Sequence, residues 1–99
     1  MEINVKAIHF VALQQLEDFT EKKVSKLSQF FDGIISAEAV LKVEKPEAAQ
    51  NKAASIKLKV PNTELFAEKT ADTFEEAIDG CCEALGKQLI KFKEKFRGK

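Results

Sequence analysis

Polar and apolar positions change period several times along this chain. Residues 2–8 alternate, with Ile3, Val5 and Ala7 on one face and Asn4 and Lys6 on the other, which predicts a half-buried strand. Residues 13–31 switch to a helical period, and Leu13, Leu16, Thr20, Val24, Leu27 and Phe31 form one stripe. Asp32-Gly33 then supplies a stop. Residues 34–44 alternate again, placing Ile35, Ala37, Ala39, Leu41 and Val43 together. Lys45-Pro46 and the following Glu-Ala-Ala-Gln-Asn read as a loop. Residues 53–60 turn Ala54, Ile56, Leu58 and Val60 inward and Ser55, Lys57 and Lys59 outward. Pro61-Asn62 is a turn, and residues 64–70 form a weaker strand with Leu65 and Ala67 facing in. Thr73, with Glu76 three residues on, makes a capping box for a last helix whose stripe is Phe74, Ile78, Cys81, Leu85, Leu89, Phe92 and Phe96.

The resulting order is β-α-β-β-β-α. Two amphipathic helices on one face of a four-stranded sheet would bury both stripes at once, so the expected class is α+β. Ninety-nine residues make a single domain spanning 1–99, large enough for a core without metal or disulfide support. No apolar run is long enough for a bilayer, and the alternating start has no signal-peptide character, which places the protein in the cytoplasm. Cys81 and Cys82 are sequence neighbours on a helix, about 100° apart, and cannot readily bridge each other. They read as reduced thiols, Cys81 in the core and Cys82 at its margin. His9 is the sole histidine and there is no further cysteine, so no metal set or metal cofactor is expected.

Charge changes the picture more than composition does. Sixteen basic and sixteen acidic residues cancel formally, yet they are sorted along the last helix. Residues 72–83 carry Asp72, Glu75, Glu76, Asp79 and Glu83 and no base, whereas residues 87–99 carry Lys87, Lys91, Lys93, Lys95, Arg97 and Lys99 against Glu94 alone. At about 100° per residue, Lys87, Lys91 and Lys95 fall on one flank of the core stripe and Lys93 and Arg97 on the other. On the first helix Lys23 and Lys26 lie beside the stripe, interleaved with Phe19 and Phe30, and Lys22 is further round. If the helices pack side by side, these flanks would form a basic surface suited to phosphate oxygens, reading shape rather than sequence. The competing reading is a solvated face, since lysine favours helices and a basic last turn complements the helix dipole. Enzyme readings fare worse: there is no Gly-rich phosphate loop, no nucleophile elbow and no triad for His9, and no small-molecule substrate is expected. The strand order excludes an RNA-recognition motif. Residues 13–97 do follow the α-β-β-β-α order of a double-stranded-RNA-binding domain, but Asp72-Thr73-Phe74-Glu75-Glu76 stands where that fold carries its basic cluster.

Several blocks resemble a known family. Glu21-Lys22-Lys23-Val24-Ser25-Lys26-Leu27 with Phe30-Phe31-Asp32 is similar to the first helix of ribosome hibernation-promoting factors, a family that includes ribosome-associated inhibitor A and carries an old sigma-factor-modulation label. Leu41-Lys42-Val43-Glu44-Lys45 looks like its second strand. Glu75-Glu76-Ala77-Ile78-Asp79-Gly80, Leu85, Gln88-Leu89 and Lys91-Phe92-Lys93-Glu94-Lys95 look like its final helix. The resemblance implies the same β-α-β-β-β-α fold and a binding protein rather than a catalyst. It implies binding to the small ribosomal subunit and its ribosomal RNA, between head and body, where messenger and tRNA sites are blocked. It carries contact roles to Lys23 and Lys26 and to Lys87, Lys91, Lys93 and Lys95, and Lys22 completes the candidate set. Ile8-His9-Phe10-Val11-Ala12 lacks the Gly-Arg-Asn and Thr-Glu-Ala pattern common in relatives, and Glu17 stands where many have Arg, so contacts from that end are not carried over. The stop at Gly98-Lys99 resembles a short form, expected to be monomeric off the ribosome. A second reading, a protein–protein regulatory module, would dock through the outward sheet face bearing Lys6, Glu38, Val40, Lys42, Lys57 and Phe66.

Overall fold

A computed structural model of the chain describes residues 1–8, 10–44 and 50–97, with side chains described as far as Lys95. His9, residues 45–49 of the expected loop, the side chains of Phe96 and Arg97, and Gly98-Lys99 lie outside the described residues. The elements are β1 (Glu2–Ile8), α1 (Gln14–Ser25) with a 3₁₀ turn (Lys26–Gln29), β2 (Ser36–Val43), β3 (Lys52–Val60), β4 (Thr63–Ala71) and α2 (Phe74–Arg97). The sheet order is β1-β2-β3-β4. β1 and β2 are parallel, which requires a crossover, and α1 supplies it. The other pairs are antiparallel.

Alternation places the inner face of the sheet as expected. Ala37, Ala39, Leu41, Ala54, Ile56, Leu58, Val60 and Ala67 are buried there. Four of these are alanines, so the sheet centre offers short side chains, and the long ones of Val24, Leu27, Ile78, Leu85 and Leu89 fill the layer from the helices. Each fully buried Leu contributes about 1.5–3 kcal/mol through lost apolar exposure. β4 is nine residues long and pairs along its whole length with β3, a fuller strand than its sequence suggests.

Three expectations are corrected. The helix expected over 13–31 starts one residue later and tightens early. Leu13 is extended (φ −73°, ψ 154°) and 71% exposed, outside the stripe. Ser25 Oγ donates to the Lys22 carbonyl and Ser28 Oγ to the Ser25 carbonyl, both at 2.9 Å. Such back-bonding competes with the α ladder and suits the tighter 3₁₀ turn that follows. Gly33 is therefore not the stop: it has no positive φ, and its value is space, since a Cβ there would meet the Phe31 ring at 2.7 Å. Third, Ile35 is exposed and Ile34 is buried in its place: the Ile35 N–H bonds to the carbonyl of Lys59, which is already the register partner of Ser36, so the alternation slips by one residue there.

The two helices run side by side in the same direction. Leu16 and Phe74 share a shallow pocket at one end. Further along, Lys23 meets Asp79, Phe30 lies against Gly86, and Phe31 meets Phe92 edge-on with centroids 5.2 Å apart. Gly86 permits this approach: a Cβ there would sit 3.2 Å from the Phe30 ring.

Candidate nucleic-acid interface

The site is built on α2, 24 residues long and therefore about 36 Å from end to end. Its start is set by Thr73, whose Oγ1 accepts from the Glu76 N–H at 3.1 Å and whose carbonyl accepts from the Ala77 N–H at 3.2 Å. Its inward face is fixed by the fully buried Ile78, Cys81, Leu85 and Leu89. That anchorage leaves the other faces free to carry charge. Because the helices are parallel, their acidic N-terminal ends lie together, but the lysines of the first helix fall short of the basic end of α2. Glu17 and Asp18 accompany Glu75 and Glu76 near the N-termini, and Lys22, Lys23 and Lys26 lie further along beside the middle of α2.

Lys87, Lys91, Lys93 and Lys95 are exposed, and among the described residues none has a carboxylate within ion-pair distance. Lys91 and Lys95 look onto β4: with Thr63, Leu65, Gln88, Phe92 and Glu94 they line a groove of about 710 Å³. Gln88 Nε2 closes the base of this region by donating to the Phe66 carbonyl at 2.9 Å. Lys93 falls on the other flank, the side on which Gly86 faces α1. The two lysine flanks read from the sequence are thus real, but the Lys91 and Lys95 flank adjoins β4 and not α1.

On α1 Lys22 is exposed and Lys23 is half-buried at the helix seam, and Lys26, which opens the 3₁₀ turn, is exposed. The Lys23 Nζ lies 3.0 Å from Asp79 Oδ1 and 5.6 Å from the centroid of the Phe19 ring. Phe19 and Phe30 are core-edge residues beneath and beside the lysines. Neither the Lys23–Asp79 pair nor the β4–α2 groove is readable from one helix at a time, because each needs two elements brought together.

The cysteines sit where their helical positions put them. Cys81 is buried and its Sγ donates to the Ala54 carbonyl at 3.2 Å; Cys82 is half-buried, and both are free. Burial pushes both thiols up to about 11, reinforced for Cys81 by its neighbour Cys82 and for Cys82 by Asp79. They are protonated at neutral pH. On the outward sheet face, Glu38 lies between Lys6 (3.4 Å) and Lys57 (3.9 Å), so its charges are already paired with each other. Among the described residues no helix is long and apolar enough to cross a membrane.

This geometry defines a small α+β module that displays a charge-sorted helix layer. The chain belongs to the family described as sigma 54 modulation protein / S30EA ribosomal protein, which matches residues 3–97. It is 35% identical over 97 residues to a ribosome hibernation promoting factor of Klebsiella oxytoca, and 32% identical over 97 residues to that of Escherichia coli strain K12; 98% of each chain is covered in both cases. Among solved structures it resembles the N-terminal domain of Thermus thermophilus Protein Y, with a TM-score of 0.80 and 25% identity over 93% of this chain and 99% of that one. A ribosomal subunit interface protein from Coxiella burnetii shares the fold, with a TM-score of 0.84 and 22% identity over 94% of this chain and 98% of that one.

Proposed function

We propose that this protein is a cytoplasmic ribosome hibernation factor. It binds the small ribosomal subunit through ribosomal RNA in the decoding channel and silences translation by occupying the messenger and tRNA sites. The observation that carries this reading is the row of exposed lysines, without an ion-pair partner among the described residues, on a helix anchored in the core by Leu85 and Leu89. Family membership supports it, and relatives over nearly the whole chain are named for ribosome hibernation. Lys87, Lys91, Lys93 and Lys95 supply the principal phosphate contacts, and Lys22, Lys23 and Lys26 extend them along α1. Each ammonium offers a mobile point charge with three donors, suited to a phosphate backbone of fixed shape and variable sequence. The mechanism is steric and needs no chemical step: an occupied channel accepts neither messenger nor tRNA.

Co-sedimentation with purified small subunits across a salt series tests this directly. Binding through about six lysines falls with salt at a log–log slope of several units. Lys87→Glu combined with Lys91→Glu abolishes it with the fold intact, since both side chains are exposed. A folded wild-type chain that fails to sediment with subunits at low salt refutes the proposal and turns attention to the sheet face as a protein-docking surface.

A further inference from the structure

The groove between β4 and the C-terminal half of α2 has a chemistry that phosphate binding alone does not use. It is a shallow groove of about 710 Å³, open along one side to solvent. Leu65 and Phe92 give it apolar walls, and Lys91 and Lys95 stand along it. Glu94, the one acid of α2 beyond Glu83, lines the same groove. Gln88 is oriented by its bond to the Phe66 carbonyl, which leaves its side-chain oxygen as an acceptor.

A carboxylate in a phosphate-binding groove weakens the hold of the two lysines on a phosphodiester. A ligand that brings hydrogen-bond donors along with its phosphates turns that carboxylate into a contact. Of the four RNA bases, guanine alone sets two donor groups side by side on its Watson–Crick edge, the N1–H and the N2 amino group. They match the two oxygens of one carboxylate. Adenine and cytosine each offer a single amino group beside acceptors, and uracil a single N–H between two carbonyls. Single-stranded RNA is read in this way, with the base plane on an apolar wall and its edge on polar groups.

We propose that this groove is a binding site for one unpaired guanine nucleotide of a single-stranded RNA segment. The base lies against Leu65 and Phe92, its Watson–Crick edge bonds to the Glu94 carboxylate, and the flanking phosphates bond to Lys91 and Lys95. The inference rests on the reading of the basic end of α2 as an RNA-binding surface, and adds base selectivity to it.

The test uses the full chain and two labelled strands, a uridine hexaribonucleotide and the same strand with one central guanosine. Affinity is read by fluorescence anisotropy at low salt, and the Leu65 methyl and Gln88 amide resonances are followed by NMR. The guanosine strand binds roughly tenfold more tightly, as expected for one bidentate contact, and shifts both resonances. Glu94→Gln binds the all-uridine strand more tightly than wild type, because a repelling charge is gone, and loses most of the guanosine preference. Equal affinity for the two strands overturns the proposal. So does a preference that survives in Glu94→Gln, or an equal gain when adenosine replaces the guanosine. Retained small-subunit binding with no guanosine preference removes this site alone, whereas a wild-type chain that binds no small subunit removes the broader reading.

Discussion

Asn62 is the one described residue other than glycine with a positive φ, 71°. It follows Pro61, whose ring fixes φ near −65°, and the pair spans the β3–β4 turn between the partners Val60 and Thr63. Asparagine tolerates this left-handed conformation and alanine does not, so Asn62→Ala lowers unfolding free energy by about 1–2 kcal/mol, whereas Asn62→Gly costs little. Urea denaturation of the three proteins checks this. Cys81 gives a prediction in pH. Its thiol is raised to about 11 by burial, so the folded state holds the proton more tightly than the unfolded chain does. The stabilisation is fully present below the unfolded pKa, about 9, and is lost as pH rises toward 11. The difference in unfolding free energy between wild type and Cys81→Ala therefore narrows across that window, a comparison that cancels the titration of the lysines.

Helix packing decides what the lysines face. Asp79 holds Lys23 at the seam between α1 and α2, but both side chains are substantially exposed, 36% for Lys23 and 53% for Asp79. An exposed pair of this kind is worth at most about 1 kcal/mol, so a phosphate can take the ammonium from it. Asp79→Asn releases Lys23 and raises affinity for small subunits by a few fold, measured by the same sedimentation; unchanged affinity would mean that Lys23 makes no contact. The opposite face gives the structural control. Leu89→Asp places an unpaired charge in the centre of the core and unfolds the domain, seen as loss of cooperative thermal melting. The element order and the stripe of α2 were legible because period 2 and period 3.6 persist over whole segments. The end of α1 was not, since Ser25 and Ser28 redirect their hydroxyls to local carbonyls and no hydrophobic pattern records that. Ile35 misled for a related reason: the sequence alternates straight through residues 35 and 36, whereas both oppose Lys59 in the structure and the phase slips there. The lysine flanks of α2 were legible from helical angle alone, but the wall that Thr63 and Leu65 give to the groove depends on β4 lying beside α2.

At the scale of the molecule, zero net charge conceals a separation along its longest dimension, which is 50 Å against 23 and 19 Å. Glu76 and Lys91 are fifteen residues apart on one continuous helix, about 22 Å along its axis. At physiological ionic strength the screening length is about 8 Å, so the acidic end is nearly invisible to a phosphate held at the basic end. At 0.01 M salt that length is about 30 Å and the acidic end is felt. Neutralising that end with Glu75→Gln and Glu76→Gln therefore leaves small-subunit affinity within about twofold at 0.15 M salt and raises it clearly at 0.01 M. The cost to helix stability is small, about 0.3–1 kcal/mol for each carboxylate lost from the first turn. On the proposed contact, neutralising Lys87 and Lys91 lowers affinity at both salt concentrations, because charges that touch RNA release its counterions directly. Equal responses from the two ends at 0.15 M would mean that the acidic end also lies against the subunit. The charge sorting would then mark two contacts instead of one contact and a screened counterpole.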